Sequence, residues 1–203
     1  DIRAPLSSII GYIELLLRRH PDERQQYYLE NMKGSSDHIL SLVNDLLDFQ
    51  RLESGEMEVH SVPFRVPVLF DEIYTSFQPI AEAKGLRFVL NLKPEETGQV
   101  YMGDPIRIRQ VVGNLLSNAI KFTEAGRVVL LVSLQKLSAV HYQLSITVSD
   151  SGPGIPKEEQ ERIFGEFTRL ADTEEVEGFG LGLSITRKLL SLMNGTLALD
   201  SAP

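Results

Sequence analysis

The chain has 203 residues, 42% of them hydrophobic and none of them cysteine, with a formal net charge of -8. That apolar content supports one or two folded domains rather than a disordered tail, and the lack of cysteine excludes a disulfide framework, a thiolate metal site and a cysteine nucleophile. The acidic balance repels phosphate backbones and anionic membrane surfaces, so no nucleic-acid partner is expected, and no apolar run reaches bilayer-spanning length.

Over residues 5–17, Leu6, Ile9, Ile10, Ile13, Leu16 and Leu17 recur at helical spacing until His20-Pro21-Asp22 interrupts them. A second helix is predicted over 22–54, with a stripe of Ile39, Leu42, Val43, Leu46 and Phe49 and a stop at Gly55. A lone hairpin of two such helices leaves much of both stripes wet. A symmetric homodimer forming a four-helix bundle would bury them; packing of the hairpin on the rest of its own chain is the alternative.

The helical period is lost over 56–63, which places a domain boundary between 1–56 and 57–203. Beyond it strands and helices alternate. Strands are predicted near 60–65, 87–92 and 99–102, and a helix near 67–84 that Gly85 stops. A further helix begins with Asp104 as N-cap and Pro105 in its first turn. Strands near 127–135 and 141–148 read as a hairpin, followed by a helix over 181–193 and a short strand over 196–200. The fold class is α+β, a mixed sheet with helices on one face.

Two glycine clusters, Asp150-Ser-Gly-Pro-Gly-Ile155 and Gly178-Phe-Gly-Leu-Gly-Leu183, carry the chemistry. Leu144, Ile146 and Val148 alternate with polar residues, so Asp150 leaves the end of a half-buried strand with its carboxylate in a turn, placed to accept a hydrogen bond from an adenine amino group. Gly152 and Gly154 are expected to take positive φ and let backbone approach a flat ring. The second cluster opens a helix whose unpaired N–H groups and positive dipole end suit a polyphosphate. Either cluster alone is equally an ordinary loop. In the helix after Pro105, Asn114 and Asn118 sit four apart in an apolar setting, with Lys121 three further on. Asparagine is a poor helix former, so the pair points to polar chemistry, with an amide oxygen on Mg²⁺ and an amide or ammonium donor on phosphate. A solvent-facing polar stripe is the ordinary alternative.

Asn114-Leu-Leu-Ser-Asn-Ala-Ile-Lys-Phe-Thr123, the Asp150 cluster, Phe164 to Phe167 and the Gly178 cluster resemble, in order and spacing, the N, G1, F and G2 boxes of sensor histidine kinases. Asp1-Ile-Arg-Ala-Pro-Leu6 resembles that family's phosphoacceptor box without its histidine, which in the family immediately precedes the acidic residue. The resemblance implies a dimerisation and phosphotransfer hairpin followed by an ATP-binding sandwich of Bergerat (GHKL) type, with the family's last strand falling beyond Pro203.

It further implies that Asp150 holds the adenine amino group and that Gly152 and Gly154 shape the base pocket. Asn118 is then the direct Mg²⁺ ligand with Asn114 assisting, and Lys121 touches phosphate. Gly178, Gly180, Leu181 and Gly182 flank the phosphates, Phe164 and Phe167 pack a lid against the sheet, and Arg169 reaches phosphate when the lid closes. Asp1 orients and deprotonates the missing histidine. Two departures stand out: Phe179 replaces the more usual small hydroxyl residue, and Ala4 the frequent Thr or Asn. His20, His38, His60 and His141 lack the acid-then-Arg-Pro setting of an acceptor.

The implied reaction is transfer of the ATP γ-phosphoryl to an imidazole, then to an aspartate of a response-regulator receiver domain. The implied setting is the cytoplasmic portion of a protein whose membrane anchor lies outside these residues. Two alternatives are a GHKL-type ATPase, whose water-activating Glu is replaced by Asn114, and a non-catalytic dimerising module.

Overall fold

The computed structural model describes residues 2–93, 99–168 and 180–202. Helices α1 (Arg3–Leu17) and α2 (Glu23–Glu53) pair as the expected hairpin. Asp22 opens α2 with a capping box: its carboxylate accepts from Gln25 N at 2.8 Å, and the Gln25 side chain accepts from Asp22 N at 3.2 Å. At the far end Gly55 takes φ 70°, and the Glu56 N–H returns to Arg51 O at 3.0 Å, closing the helix where a side chain would be strained.

The hairpin packs on its own chain, the alternative expectation, over part of its length. Its C-terminal end docks on the rest of the chain, where Phe49 and Leu52 pack against Met57, Val111, Leu181, Ile185 and Leu189. Farther along, Ile9, Tyr12, Leu16, Ile39 and Leu46 remain between 42% and 69% exposed.

On α2, Asp45 is half-buried one turn from Asp48, and burial first, then the neighbouring negative charge, pushes its carboxyl up to about 6 from 3.8. The folded-state value exceeds the unfolded one, so this group's stabilising contribution is complete below about pH 4 and is lost as pH rises through 6. Partial exposure reduces the effect to ~1 kcal/mol. Asp45→Asn should therefore raise the melting temperature by about 2–4 °C at neutral pH and leave it unchanged near pH 4. Equal melting of the two proteins at neutral pH would contradict a buried charge here.

Strand β1 (Val62–Phe64) leads into α3 (Val66–Ala83) and β2 (Arg87–Leu92), then β3 (Tyr101–Gly103), α4 (Pro105–Phe122), β4 (Arg127–Lys136), β5 (Tyr142–Asp150) and α5 (Gly182–Leu192). The single mixed sheet expected from sequence divides in two. β1 pairs antiparallel with β3, while the main sheet has order β2-β4-β5, with β2 parallel to β4 and β4 antiparallel to β5. Helices α3 and α4 cover one face. Phe70, Ile73, Val112 and Leu116 bury themselves against Val128, Leu130 and Val132, the alternate residues of β4. Each such side chain contributes roughly 1.5–3 kcal/mol by leaving water.

Asp104 starts α4 as predicted. Its Oδ1 accepts from Ile106 N at 3.1 Å and Arg107 N at 3.0 Å, and its Oδ2 accepts from His60 N at 2.9 Å, so both oxygens of this buried carboxylate are bonded. The strand expected over 196–200 is corrected: those residues form no ladder. This end of the chain is held instead by loop contacts, Ser201 Oγ accepting from Ile155 N at 3.0 Å and Ser201 O from Gln160 Nε2 at 2.9 Å. Among the described residues no helix is long and apolar enough to cross a membrane.

Candidate nucleotide site

Three elements converge on one region, with α4 as the strut between the others. At its C-terminal end, the buried Thr123 hydroxyl lies 3.5 Å from Asp150 Oδ1 at the end of β5. The same oxygen accepts from Gly152 N at 2.8 Å, so the carboxylate is oriented before any ligand arrives. Lys84 closes that end of α4 by donating to Ile120 O at 2.8 Å and Lys121 O at 2.6 Å, a cation on the negative end of the helix. Ser151 joins the turn to β4: its hydroxyl accepts from Arg127 N at 3.0 Å and donates to Ala125 O at 3.1 Å.

The glycines of the first cluster differ in their reasons. Gly154 takes φ 73°, as expected. Gly152 does not take positive φ; it is required by close approach, because a Cβ there would stand 2.7 Å from Asp150 Oδ1 and 3.3 Å from Phe122 O.

Farther back along α4, half-buried Asn114 donates from Nδ2 to Gly182 O at 3.2 Å and to Thr186 Oγ1 at 3.3 Å, joining α4 to the start of α5. A carbonyl can only accept, so Nδ2 is the atom bonded to α5, while Oδ1 lies beside Gly182, 4.0 Å from where a Cβ there would stand. That oxygen has no donor among the described residues. Only Arg3 Nε is both buried and unpartnered there, so Asn114 Oδ1 reaches solvent. Asn118, also half-buried, makes no side-chain hydrogen bond among the described residues.

Two accessible amide oxygens on one helix face fit a hard cation that takes its other ligands from phosphate and water. No cluster of three His, Asp or Glu able to hold a metal occurs among the described residues. The Lys121 ammonium lies 5.2 Å from the Phe122 ring, and Lys121 also borders a cleft of about 500 Å³ between α3 and α4.

Gly180 combines φ 72° with a steric demand, since a Cβ would stand 2.5 Å from Thr168 O. At Gly182 a Cβ would meet only Asn114, at an ordinary 3.8 Å. Leu181 is buried in the core below α5, which leaves only its backbone for a ligand. Phe164 lies under Arg187 at 5.9 Å. Phe167 departs from the expected packing on the sheet: 58% exposed, it meets the Phe49 ring of α2 edge-on at 6.0 Å. Asp1, Arg169, Gly178 and Phe179 lie outside the described residues.

Residues 1–55 match the His Kinase A (phospho-acceptor) domain, and residues 103–203 match the histidine kinase-, DNA gyrase B-, and HSP90-like ATPases. The chain is also 30% identical to the catalytic domain of histidine kinase ThkA, covers 81% of that chain and superposes with a TM-score of 0.52. The chain belongs to the sensor histidine kinases. It is 37% identical over 206 residues to the signal transduction histidine-protein kinase BarA of Escherichia coli strain K12, and 38% identical over 208 residues to the virulence sensor protein BvgS of Bordetella bronchiseptica. Both alignments cover all of this chain but only 22% and 17% of those proteins. Full-length ShkA in complex with AMPPNP is 32% identical with a TM-score of 0.73, over 95% of this chain and 39% of ShkA.

For a histidine kinase, the contributions that sequence reasoning missed are those of Thr123, Ser151, Lys84 and Lys188. Thr123 closes the asparagine motif, and a Thr directly after an amphipathic helix was its one signal. Nothing local marks the other three, because each acts through a partner at least 22 residues away.

Proposed function

We propose that this chain is the catalytic core of a two-component sensor kinase. It transfers the γ-phosphoryl of ATP to a histidine ahead of Asp1, from which the phosphoryl passes to an aspartate of a response-regulator receiver domain. The carrying observation is the strut geometry of α4, which touches Asp150 at one end and Gly182 through Asn114. Those contacts are nine residues apart, about 13 Å of helix, leaving a base at one end and phosphates at the other. Nothing among the described residues demands glycine at 182, which supports a phosphate lying against it.

Asp150, pre-oriented by Gly152 N–H and Thr123, accepts from the adenine amino group. The backbone N–H groups at the start of α5 meet the phosphates. Asn118, with help from Asn114, would hold Mg²⁺, which when bound would supply neutralising charge for the phosphates. Lys121 adds a second positive charge there. Asp1 bonds the near nitrogen of the acceptor imidazole and raises the nucleophilicity of the far one. Calorimetry of ATP binding, and acid-labile phosphate on a chain carrying the histidine, test this reading.

The division into 1–56 and 57–203 belongs to the same proposal. The exposed stripe of Ile9, Tyr12, Leu16, Ile39 and Leu46 supports a homodimer closed through the hairpin. A sedimentation experiment that finds only monomer at high concentration contradicts it.

Ala4 lies in the first turn of α1, four residues after the proposed acceptor position, and would share its face if the helix ran back through that position. A Thr or Asn there would position the water that hydrolyses the regulator's aspartyl phosphate, and a methyl group orients no water. The expected result is a kinase-biased protein. With ADP present, Ala4→Thr shortens the lifetime of the regulator phosphate about a hundredfold, the low end of what a positioned proton-transfer partner contributes. Equal lifetimes for the two proteins refute the bias.

A further inference from the structure

Lys188 lies on the face of α5 turned toward α2 and is engaged there by three groups. Its ammonium bonds the carboxylate of Glu53, at the C-terminal end of α2, and that of Glu166 at 2.7 Å, in the strap between the 3₁₀ turn Arg162–Phe164 and Thr168. It also sits 4.5 Å above the Phe49 ring. Burial alone would lower its pKa, but the hydrogen bonds it donates to Glu166 and Glu53, and their negative charges, outweigh burial and raise it. The Lys188 side chain is only 30% exposed, against 56% for Glu53 and 44% for Glu166, so it is the inner member of the trio.

The strap it holds is itself unusual. Phe167 takes φ 55°, a conformation unfavourable for a bulky residue, and its ring is met by Phe49 of the hairpin. The next residue, Thr168, lies against Gly180 so closely that a Cβ on Gly180 would collide with its backbone. The strap therefore touches the hairpin on one side and the phosphate end of the nucleotide site on the other.

We propose that Lys188 is a positioning residue for the nucleotide site: by joining Glu53 of the hairpin to Glu166, it holds the Glu166–Thr168 strap against Gly180. A displacement of α2 at Glu53 then reaches the phosphate end of the site through Lys188, beside the direct contact of Phe49 with Phe167. The inference rests on the nucleotide reading above, and its test separates the two. Exposed ion pairs are individually weak and screened by salt, which suits a contact that must be broken and remade.

The chain has no cysteine, so Ser41→Cys and Ser191→Cys, both at exposed positions, accept two spin labels as the only labelled sites. In that background, Lys188→Ala and Glu53→Gln should each broaden the inter-label distance and speed release of a fluorescent ADP analogue by roughly fivefold. Glu53 does not touch the nucleotide region, so its effect must travel through Lys188. The double variant should release no faster than Lys188→Ala alone. Lys188→Arg should restore both readings, and high salt should reproduce the broadening. Broadened distances with unchanged ADP release overturn the positioning role, as do unchanged distances in both variants. If the parent binds no ADP, the nucleotide reading fails, while the distances still report on the contact.

Discussion

Asp150→Asn should weaken binding of ATP and of ADP alike, by roughly tenfold to a hundredfold, with or without Mg²⁺. The size follows from losing a charge-assisted hydrogen bond from a carboxylate that is exposed here and that the bound base would cover. The substitution acts twice. It removes the charge that attracts the adenine amino group, and it offers an amide that must divide one oxygen among Gly152 N–H, Thr123 and the base. The substitution is nearly isosteric, so folding, checked by thermal melting, should be preserved. Asn118→Ala gives the contrast. An amide oxygen that serves a cation matters only when the cation is present, so its effect should appear with Mg²⁺ and vanish in chelator. A metal-dependent loss for Asp150→Asn, or a metal-independent loss for Asn118→Ala, reverses the two assignments.

The second large effect is all-or-none. Residues 1–203 incubated with Mg-ATP should take up no acid-labile phosphate, and a protein with histidine placed directly ahead of Asp1 should take it up at that residue. The acceptor must combine a neutral imidazole nucleophile with an adjacent acid that fixes its tautomer, and the acid-then-Arg-Pro setting occurs only at Asp1. None of the four histidines present reproduces it. His20 occupies the left-handed turn between α1 and α2, and the imidazole of His141 is bonded to Ser138 at 3.1 Å. His60 gives its backbone N–H to Asp104. Acid-labile label on 1–203 itself would overturn the assignment and return attention to His38, which follows an acid at Asp37 on α2. A labelled histidine ahead of Asp1 that then fails to pass its phosphoryl to any receiver domain would leave the kinase step standing and remove the relay.

Much of this molecule is legible in one dimension because its signals are local. The period of the apolar residues marks both hairpin helices. Asp22, Gly55, Gly85 and Asp104 mark helix ends through capping chemistry that acts over three or four residues. Alternation across Leu144, Ile146 and Val148 places Asp150 at a strand end, where the structure has it. The paired asparagines of α4 stand out because a helix gains nothing from them on its own account.

The decisions left to tertiary structure are those in which a residue's partner lies far along the chain. Pattern alone suggests a strand over 196–200, but a strand exists only by its ladder, and that segment is anchored by Ser201 to the turn after β5 instead. The glycine motif suggests positive φ at Gly152, whereas its real constraint is the Asp150 carboxylate and the end of α4 pressed against it. Phe167 is expected on the sheet, and its contact is Phe49, more than a hundred residues earlier. Composition and period determine which faces are apolar; they do not say which apolar face meets which. That choice follows from shape and charge after the chain has closed on itself, and here it set Lys188 between Glu53 and Glu166.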